Sequence, residues 1–183
     1  MNEVLKAIAD RYSCRDFTGK PLTEEQAMDL GKAALAAPSA LNKMPWQIIV
    51  VTDKALIDEL DADGMEISKT QYPDGYARMM QRGGKLFYNA PCLIIIAGDE
   101  SSWSPVDCGI VSQNIALAAH SMGLGSVICG MARMPLNGPR SDEWRKRLQI
   151  PDGYKFGMSV CVGEAKSGKE PHELDMNKLT FVK

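Results

Sequence analysis

The chain has 183 residues, of which 45% are apolar and 24% are charged, as in ordinary globular proteins. Its 21 basic and 23 acidic side chains leave a formal net charge of −2, which gives no argument for a nucleic-acid partner. No apolar run approaches the roughly 20 residues of a membrane helix, and the first residues lack the order of a signal peptide. We expect a single domain over residues 1–183, located in the cytoplasm and without a membrane partner.

The first part of the chain predicts two helices. One covers residues 2–9. The second covers residues 23–37, begins with the capping-box pair Thr23 and Gln26, and stops at Pro38.

The next segments differ sharply in polarity. The continuous apolar run 46–51 predicts a strand at the centre of a sheet. A short helix is expected over residues 53–61. The polar stretch 64–84 is predicted as the least ordered segment, suited to a mobile lid or an inserted helix.

A second buried strand is predicted over residues 92–98. The helix after it has Ser104 as its expected N-cap, ends at Gly123, and is apolar on nearly every face, which indicates burial in the core. The remaining predicted elements are a strand over 125–129, a helix over 142–148, a strand over 156–162 and a terminal strand over 179–182. Alternating elements of this kind predict an α/β (α+β) protein with helices on both faces of a sheet.

The cysteine pattern argues against a disulfide framework and against a metal site. Five cysteines are spread along the chain without a C-x-x-C pair, and only two histidines are present. Structural zinc needs ligands at short, defined spacings. We expect free thiols in the core and no bound metal.

Three glycine-containing patterns do not complete known motifs. Gly123-Leu124-Gly125 lacks the third glycine of a dinucleotide fingerprint. Residues 163–169 have the spacing of a phosphate-binding loop, but Glu170 stands where Ser or Thr must hold magnesium. Residues 157–161 lack the last glycine of a nucleophile elbow.

Arg11, Ser13 and Arg15 alternate along the segment after the first helix. In an extended chain the three side chains share one side, and two guanidinium groups beside a hydroxyl suit a phosphate or another anion. A solvated basic turn with an ion pair to Asp16 is the alternative.

The stretch 37–46 reads Ala-Pro-Ser-Ala-Leu-Asn-Lys-Met-Pro-Trp. A helix-to-strand connection anchored by Trp46 would explain it. Together with R-x-S-x-R-x-F over residues 11–17, however, its A-P-S-x-x-N-x-x-P-W pattern resembles the FMN-dependent nitroreductase family. The resemblance covers nearly the whole chain, because further family segments follow in order: Ala90-Pro91 before an apolar strand, the helix from Asp107, Gly-Leu-Gly-Ser over 123–126, and a strand closing on Val162-Gly163.

The chain departs from the family pattern in three places. Met44 replaces the usual glutamine before Pro-Trp, and residues 64–84 match nothing firmly. The C-terminal basic pattern is blurred among Lys166, Lys169 and His172, of which we favour Lys169 as the phosphate contact.

The resemblance implies a three-layer α/β/α fold around a central mixed, mostly antiparallel sheet. It also implies an intertwined homodimer with FMN at the subunit interface. The Ala-rich stripe of the helix over 23–37 and the apolar helix over 107–122 offer surface that such a dimer would bury. NADH or NADPH would be the co-substrate, and a small molecule the electron acceptor.

The resemblance also assigns roles in FMN binding. Arg11 and Ser13 would hold the phosphate or ribityl chain, Tyr12 would be a further cofactor contact, and Arg15 would stabilise negative charge near the flavin N1–O2 edge. The other subunit would supply Pro38, Ser39, Ala40 and Asn42. The remaining assigned contacts are the backbone of Cys129 and Gly130 at flavin N5, Arg82 or Lys85 at the pyrimidine edge, and Lys169 at the phosphate.

The implied reaction is hydride transfer from NAD(P)H through flavin N5 to a nitroaromatic, quinone or similar acceptor, and it needs no obligate catalytic side chain. The alternatives are a specialised flavoprotein that removes halogens or breaks down flavin, a flavin-storage module without turnover, and a non-flavin binding protein. A specialised enzyme would need a lid, for which residues 64–82 offer Tyr72, Tyr76, Met79 and Met80. Met79 and Met80, with Met131 and Met134, are candidates for an adaptable pocket.

Overall fold

The computed structural model describes residues 2–183. Within them the helices are α1 (Glu3–Asp10), α2 (Glu24–Leu35), α3 (Lys54–Gln71), α4 (Pro73–Met80), α5 (Ser104–Ser121), α6 (Arg133–Leu136) and α7 (Ser141–Arg147). The strands are β1 (Trp46–Val51), β2 (Cys92–Gly98), β3 (Gly125–Ile128) and β4 (Lys155–Gly163). Short 3-10 turns occur at Ala40–Asn42, Gly130–Ala132 and Met176–Lys178. In this part of the chain no helix combines the length and apolar character needed to cross a bilayer.

The strands form one antiparallel sheet in the order β1-β2-β4-β3. Ile95 of the fully buried β2 lies opposite Ile49 of β1 and Ser159 of β4. The predicted central position of β1 is wrong, because β1 lies at the edge. Its apolar run arises because both faces are covered: Ile49 packs into one core and Ile48 into the other.

Alternate residues of β2 divide the core in two. Leu93 and Ile95 pack on one face of the sheet, in a core shared with α3, α6 and α7. Ile94 and Ile96 pack on the other face, against α2 and α5. Because successive strand side chains point to opposite faces, one apolar strand supports both helical layers. The predicted three-layer α/β/α arrangement is confirmed.

The predicted end of the third helix is wrong. α3 continues to Gln71, and α4 follows at once, so the stretch predicted as least ordered is largely helical and the inserted-helix alternative is the correct one. Gly64 does not interrupt α3. A Cβ at this position would lie only 2.6 Å from Leu86 Cδ2, so the glycine lets the loop before β2 approach the helix closely.

Helix caps give one confirmation and one correction. The capping box of Thr23 and Gln26 is present at the start of α2. Ser104, in contrast, is the first residue of α5, whose N-cap is Trp103. The predicted terminal strand over 179–182 is also wrong, since these residues have no regular secondary structure.

Candidate functional site

The extended segment after α1 runs beside the ends of β3 and β4. The backbone N–H of Cys14 donates to Ser126 O at 2.9 Å, and that of Lys166 donates to Asp16 O at 3.0 Å. An isolated parallel bridge joins Ser13 to Ser126 outside the named strands, whereas the four strands of the sheet all pair antiparallel, so the predicted mixed character is not found in the sheet that residues 2–183 form. These bonds place the N-terminal segment against the chain that follows β4.

A cleft of about 680 Å³ lies between these segments and the loop before β2; we call it the basic cleft. Five lining side chains are Lys or Arg and one is acidic, although the whole chain carries a net charge of −2. The lining residues are Tyr12, Ser13, Cys14, Arg15, Asp16, Arg82, Gly83, Lys85, Tyr88, Asn89, Lys166, Ser167 and Lys169. The cleft is therefore suited to an anionic ligand.

Only part of this positive charge is neutralised within the protein. Lys166 Nζ lies 3.5 Å from Asp16 Oδ1, and Lys85 Nζ lies 3.4 Å from Asp58 Oδ1. Arg15, Arg82 and Lys169 form no ion pair among residues 2–183. The ion pair to Asp16 that the solvated basic turn would contain is present, but its cation is Lys166 rather than Arg11 or Arg15.

Arg11 is half-buried and does not itself line the basic cleft, although the neighbouring Tyr12 and Ser13 do. Its Nη2 atom donates to Ser13 Oγ at 3.4 Å, which places the two residues on the same side of the segment, as predicted. Its Nε atom is buried and has no hydrogen-bond partner in the described part of the chain. An unsatisfied buried donor costs about 1–3 kcal/mol, so this guanidinium is well suited to an anionic oxygen.

Non-glycine residues with left-handed backbone conformations are concentrated in the loop before β2 and in the turn before β1. Tyr88 and Asn89, both lining the cleft, have φ of 55° and 62°. Leu41, Asn42 and Met44 have φ of 54°, 54° and 47°. Left-handed conformations at non-glycine residues are costly and cluster at functional sites.

Sequence reasoning missed Tyr88 and Asn89. The sequence signal for a strained turn at this position is weak. It consists of one asparagine, a residue that tolerates the left-handed region, directly before the Ala90-Pro91 pair. Burial raises the pKa of the Tyr88 hydroxyl, whereas the nearby Arg15 guanidinium opposes that rise. Tyr88 and Arg15 both line the cleft.

The structure brings six predicted site residues together at this cleft: Tyr12, Ser13, Arg15, Arg82, Lys85 and Lys169. His172 is not part of the lining, whereas Lys166 is. The predicted contacts from a second subunit, Pro38, Ser39, Ala40 and Asn42, lie in the turn before β1 and do not line the basic cleft of their own chain. That turn is held by a hydrogen bond from Ala40 N to Asp107 Oδ1 at 3.1 Å.

Cys129 and Gly130 directly follow β3 and also lie outside the cleft lining. The backbone N–H of Cys129 donates to Ser159 O at 2.8 Å. A Cβ added at Gly130 would meet no atom within 4 Å, so another group has room to approach its backbone. The predicted contact of this turn with a flavin stays a prediction.

All five cysteines are free and buried, as predicted. Burial raises the pKa of Cys92 to about 12, so this thiol is neutral near pH 7. A hydrogen bond with Cys161 lowers the pKa of Cys129, and the same interaction raises the pKa of Cys161. Residues 2–183 contain no group of three or more His, Cys, Asp or Glu side chains placed to hold a metal ion.

The fold and the cleft together define a three-layer α+β protein with a cationic cleft beside one edge of its sheet. A model of the Nitroreductase family matches residues 8–164. The chain therefore belongs to the nitroreductase family.

Three known proteins show how close the similarity is. A nitroreductase with bound FMN from Desulfitobacterium hafniense DCB-2 is 43% identical, with 100% of both chains covered and a TM-score of 0.96. An FMN-dependent nitroreductase from Clostridium difficile R20291 is 31% identical, with 99% of both chains covered and a TM-score of 0.83. The NAD(P)H-using FMN reductase of Bacillus subtilis strain 168 is 31% identical over 194 residues, covering 100% of this chain and 76% of its own.

Proposed function

We propose that this protein is an FMN-dependent oxidoreductase that transfers hydride from NADH or NADPH to a nitroaromatic, quinone or similar acceptor. The whole chain would form one FMN-binding domain. For a nitro compound the balanced reaction is NAD(P)H + H⁺ + R–NO₂ → NAD(P)⁺ + R–NO + H₂O. The observation that carries the proposal is the excess of cationic side chains in the basic cleft, together with the nearby Arg11, whose buried Nε has no hydrogen-bond partner among residues 2–183.

The residues present fit FMN, whose phosphate is a dianion on a flexible polar chain. Arg11 and Ser13 are hydrogen-bonded to each other and would hold the phosphate or ribityl chain with Tyr12. The Tyr12 hydroxyl donates to Ser167 O at 3.0 Å, which holds the segment carrying Lys166 and Lys169 against the segment after α1. Charge-assisted hydrogen bonds from both segments would then orient the cofactor.

Bound FMN supplies the two-electron hydride chemistry at its N5 atom. Arg15 would stabilise negative charge on the reduced ring, and Arg82 or Lys85 would add a second positive charge. These roles require no general acid or nucleophile from the chain. This agrees with a cleft whose charged lining side chains are five cations and one carboxylate, the latter paired with Lys166.

An absorption spectrum and a turnover assay test the proposal. Protein incubated with excess FMN and then desalted is expected to retain about one flavin per chain and to oxidise many equivalents of NAD(P)H with a quinone. At most one turnover would indicate a storage module instead. A colourless protein would overturn the flavin proposal.

We also infer that the active form is a homodimer. α1 has no buried residue, and its apolar side chains Val4, Leu5 and Ile8 are exposed in the single chain. A contiguous apolar face of this kind usually marks an interface. The predicted Ala-rich stripe is not the free surface, because Leu30 and Ala34 of α2 are buried within the chain in the core shared with α5.

A mixed dimer of Asn42→Ala and Arg11→Ala chains tests whether one site uses both subunits. If Asn42 reaches the partner's cofactor, both defects fall in one site and the other site is intact. We then expect half of the FMN to bind with unaltered affinity, at a particle mass twice the 20.0 kDa of one chain. If both sites are weakened, Asn42 and Arg11 of the same chain act in the same site, and a monomer mass would exclude the dimer.

A further inference from the structure

A second cavity, of about 270 Å³, adjoins the basic cleft. The two share Arg82, Lys85 and Tyr88 as lining residues, so a molecule in the second cavity lies next to a ligand in the first. We call it the methionine cavity, because Met79, Met131 and Met134 line it. Three of the four methionines expected from sequence to form an adaptable pocket are thus brought together, and Met80 is not among them.

The apolar lining of the methionine cavity comes from separate elements. Met79 belongs to α4, Met131 to the 3-10 turn after β3, and Met134 to α6. Tyr72 and Tyr88 add two aromatic side chains. Thioether sulfur is polarizable and packs well against aromatic rings, so this lining suits a flat aromatic molecule.

The charged side chains that line the methionine cavity are all cations. Three lining residues, Arg78, Arg82 and Lys85, are basic, and no carboxylate belongs to the lining. Lys85 is paired with Asp58, whereas Arg78 forms no ion pair within residues 2–183. The Ser68 Oγ is fully buried and has no hydrogen-bond partner among the described residues.

We propose that the methionine cavity is the acceptor site and that it favours flat aromatic acceptors bearing an anionic substituent, such as a carboxylate, which Arg78 recognises. The proposal rests on the proposed flavin function, because it takes the basic cleft as the place of the cofactor. Ser68 would donate a hydrogen bond to a polar atom of the bound acceptor. Arg78 lines only the methionine cavity, so its effect is separable from cofactor binding.

Calorimetric titration of the FMN-saturated protein with benzoate and with benzamide tests this specificity without turnover. The two ligands have nearly the same shape and differ in charge. We expect benzoate to bind about tenfold more tightly, and Arg78→Gln to remove most of that preference while FMN content is retained. Ser68→Ala is expected to weaken both ligands by about the same few-fold factor.

Arg133→Gln is the matched control, because Arg133 is an exposed arginine on α6 that lines a different cavity. It removes the same charge and is expected to leave the benzoate preference unchanged. Equal binding of the two ligands by the unmodified protein, or a preference that survives Arg78→Gln, would overturn the proposal. A protein that retains no FMN but still prefers benzoate through Arg78 would overturn the flavin function and leave the anion preference standing.

Discussion

Phe17→Ala is expected to lower the free energy of unfolding by about 3–5 kcal/mol, the usual cost of truncating a buried phenylalanine. Phe17 is fully buried, and its backbone N–H donates to Tyr88 O at 3.3 Å. A Cβ built on Gly163 would lie 3.1 Å from Phe17 Cδ1, which shows how closely β4 approaches the ring. The substitution leaves a cavity beneath the segment that carries Arg11, Ser13 and Arg15.

The measurement is urea unfolding without added FMN and at a fixed chain concentration, since ligand and partner binding both shift apparent stability. Phe17→Leu is the control, because a smaller apolar side chain keeps most of the packing and is expected to cost less than about 1.5 kcal/mol. A loss below about 1 kcal/mol for the alanine variant would contradict the anchoring role.

Arg11→Ala is expected to weaken FMN binding by about 1.5–3 kcal/mol, roughly 10- to 150-fold in dissociation constant. The reason is the loss of charge-assisted hydrogen bonds from a guanidinium whose Nε has no partner in the described chain. Quenching of FMN fluorescence on titration with protein measures the constant directly. An affinity within twofold of the unmodified protein would contradict the assignment.

Arg15→Ala provides the comparison for Arg11→Ala. Arg15 is exposed, lines the cleft together with Tyr88, and is assigned to the ring rather than to the phosphate. We therefore expect it to slow hydride transfer, measured by stopped-flow bleaching of the flavin, more than it lowers FMN affinity. Equal effects of the two substitutions on affinity and rate would mean that the roles are not divided in this way.

The sequence predicted the local elements well where one physical signal dominated. The capping box of α2, the bounds of β1 and β2, and the stop of α5 before Gly123 each follow from a short pattern. The alternation of Arg11, Ser13 and Arg15 likewise indicated the segment that lines one part of the basic cleft, although only Ser13 and Arg15 of the three belong to the lining. Such features depend on neighbouring residues, so they are visible in the chain itself.

Features that depend on distant contacts were not predictable in this way. Gly64 resembles a helix break in sequence, yet the close approach of Leu86 explains its presence inside α3. The apolar run of β1 indicated a central strand, because burial by helices on both faces and pairing at both edges give the same composition. Tyr88 and Asn89 line the site from a strained turn, and a single sequence does not reveal such a turn.

The sequence by itself determined the family, the layered fold class and the cationic segment after α1, because periodicity, caps and the two motifs are local. Only the tertiary structure decided that the loop carrying Tyr88 meets that segment, and that α3 and α4 close a methionine-lined cavity beside it. Both arrangements join residues far apart in the chain. Both depend on how the helices and loops pack onto the two faces of the sheet. The free energy of that packing is set by which distant surfaces come into contact, and the sequence of neighbouring residues does not reveal this.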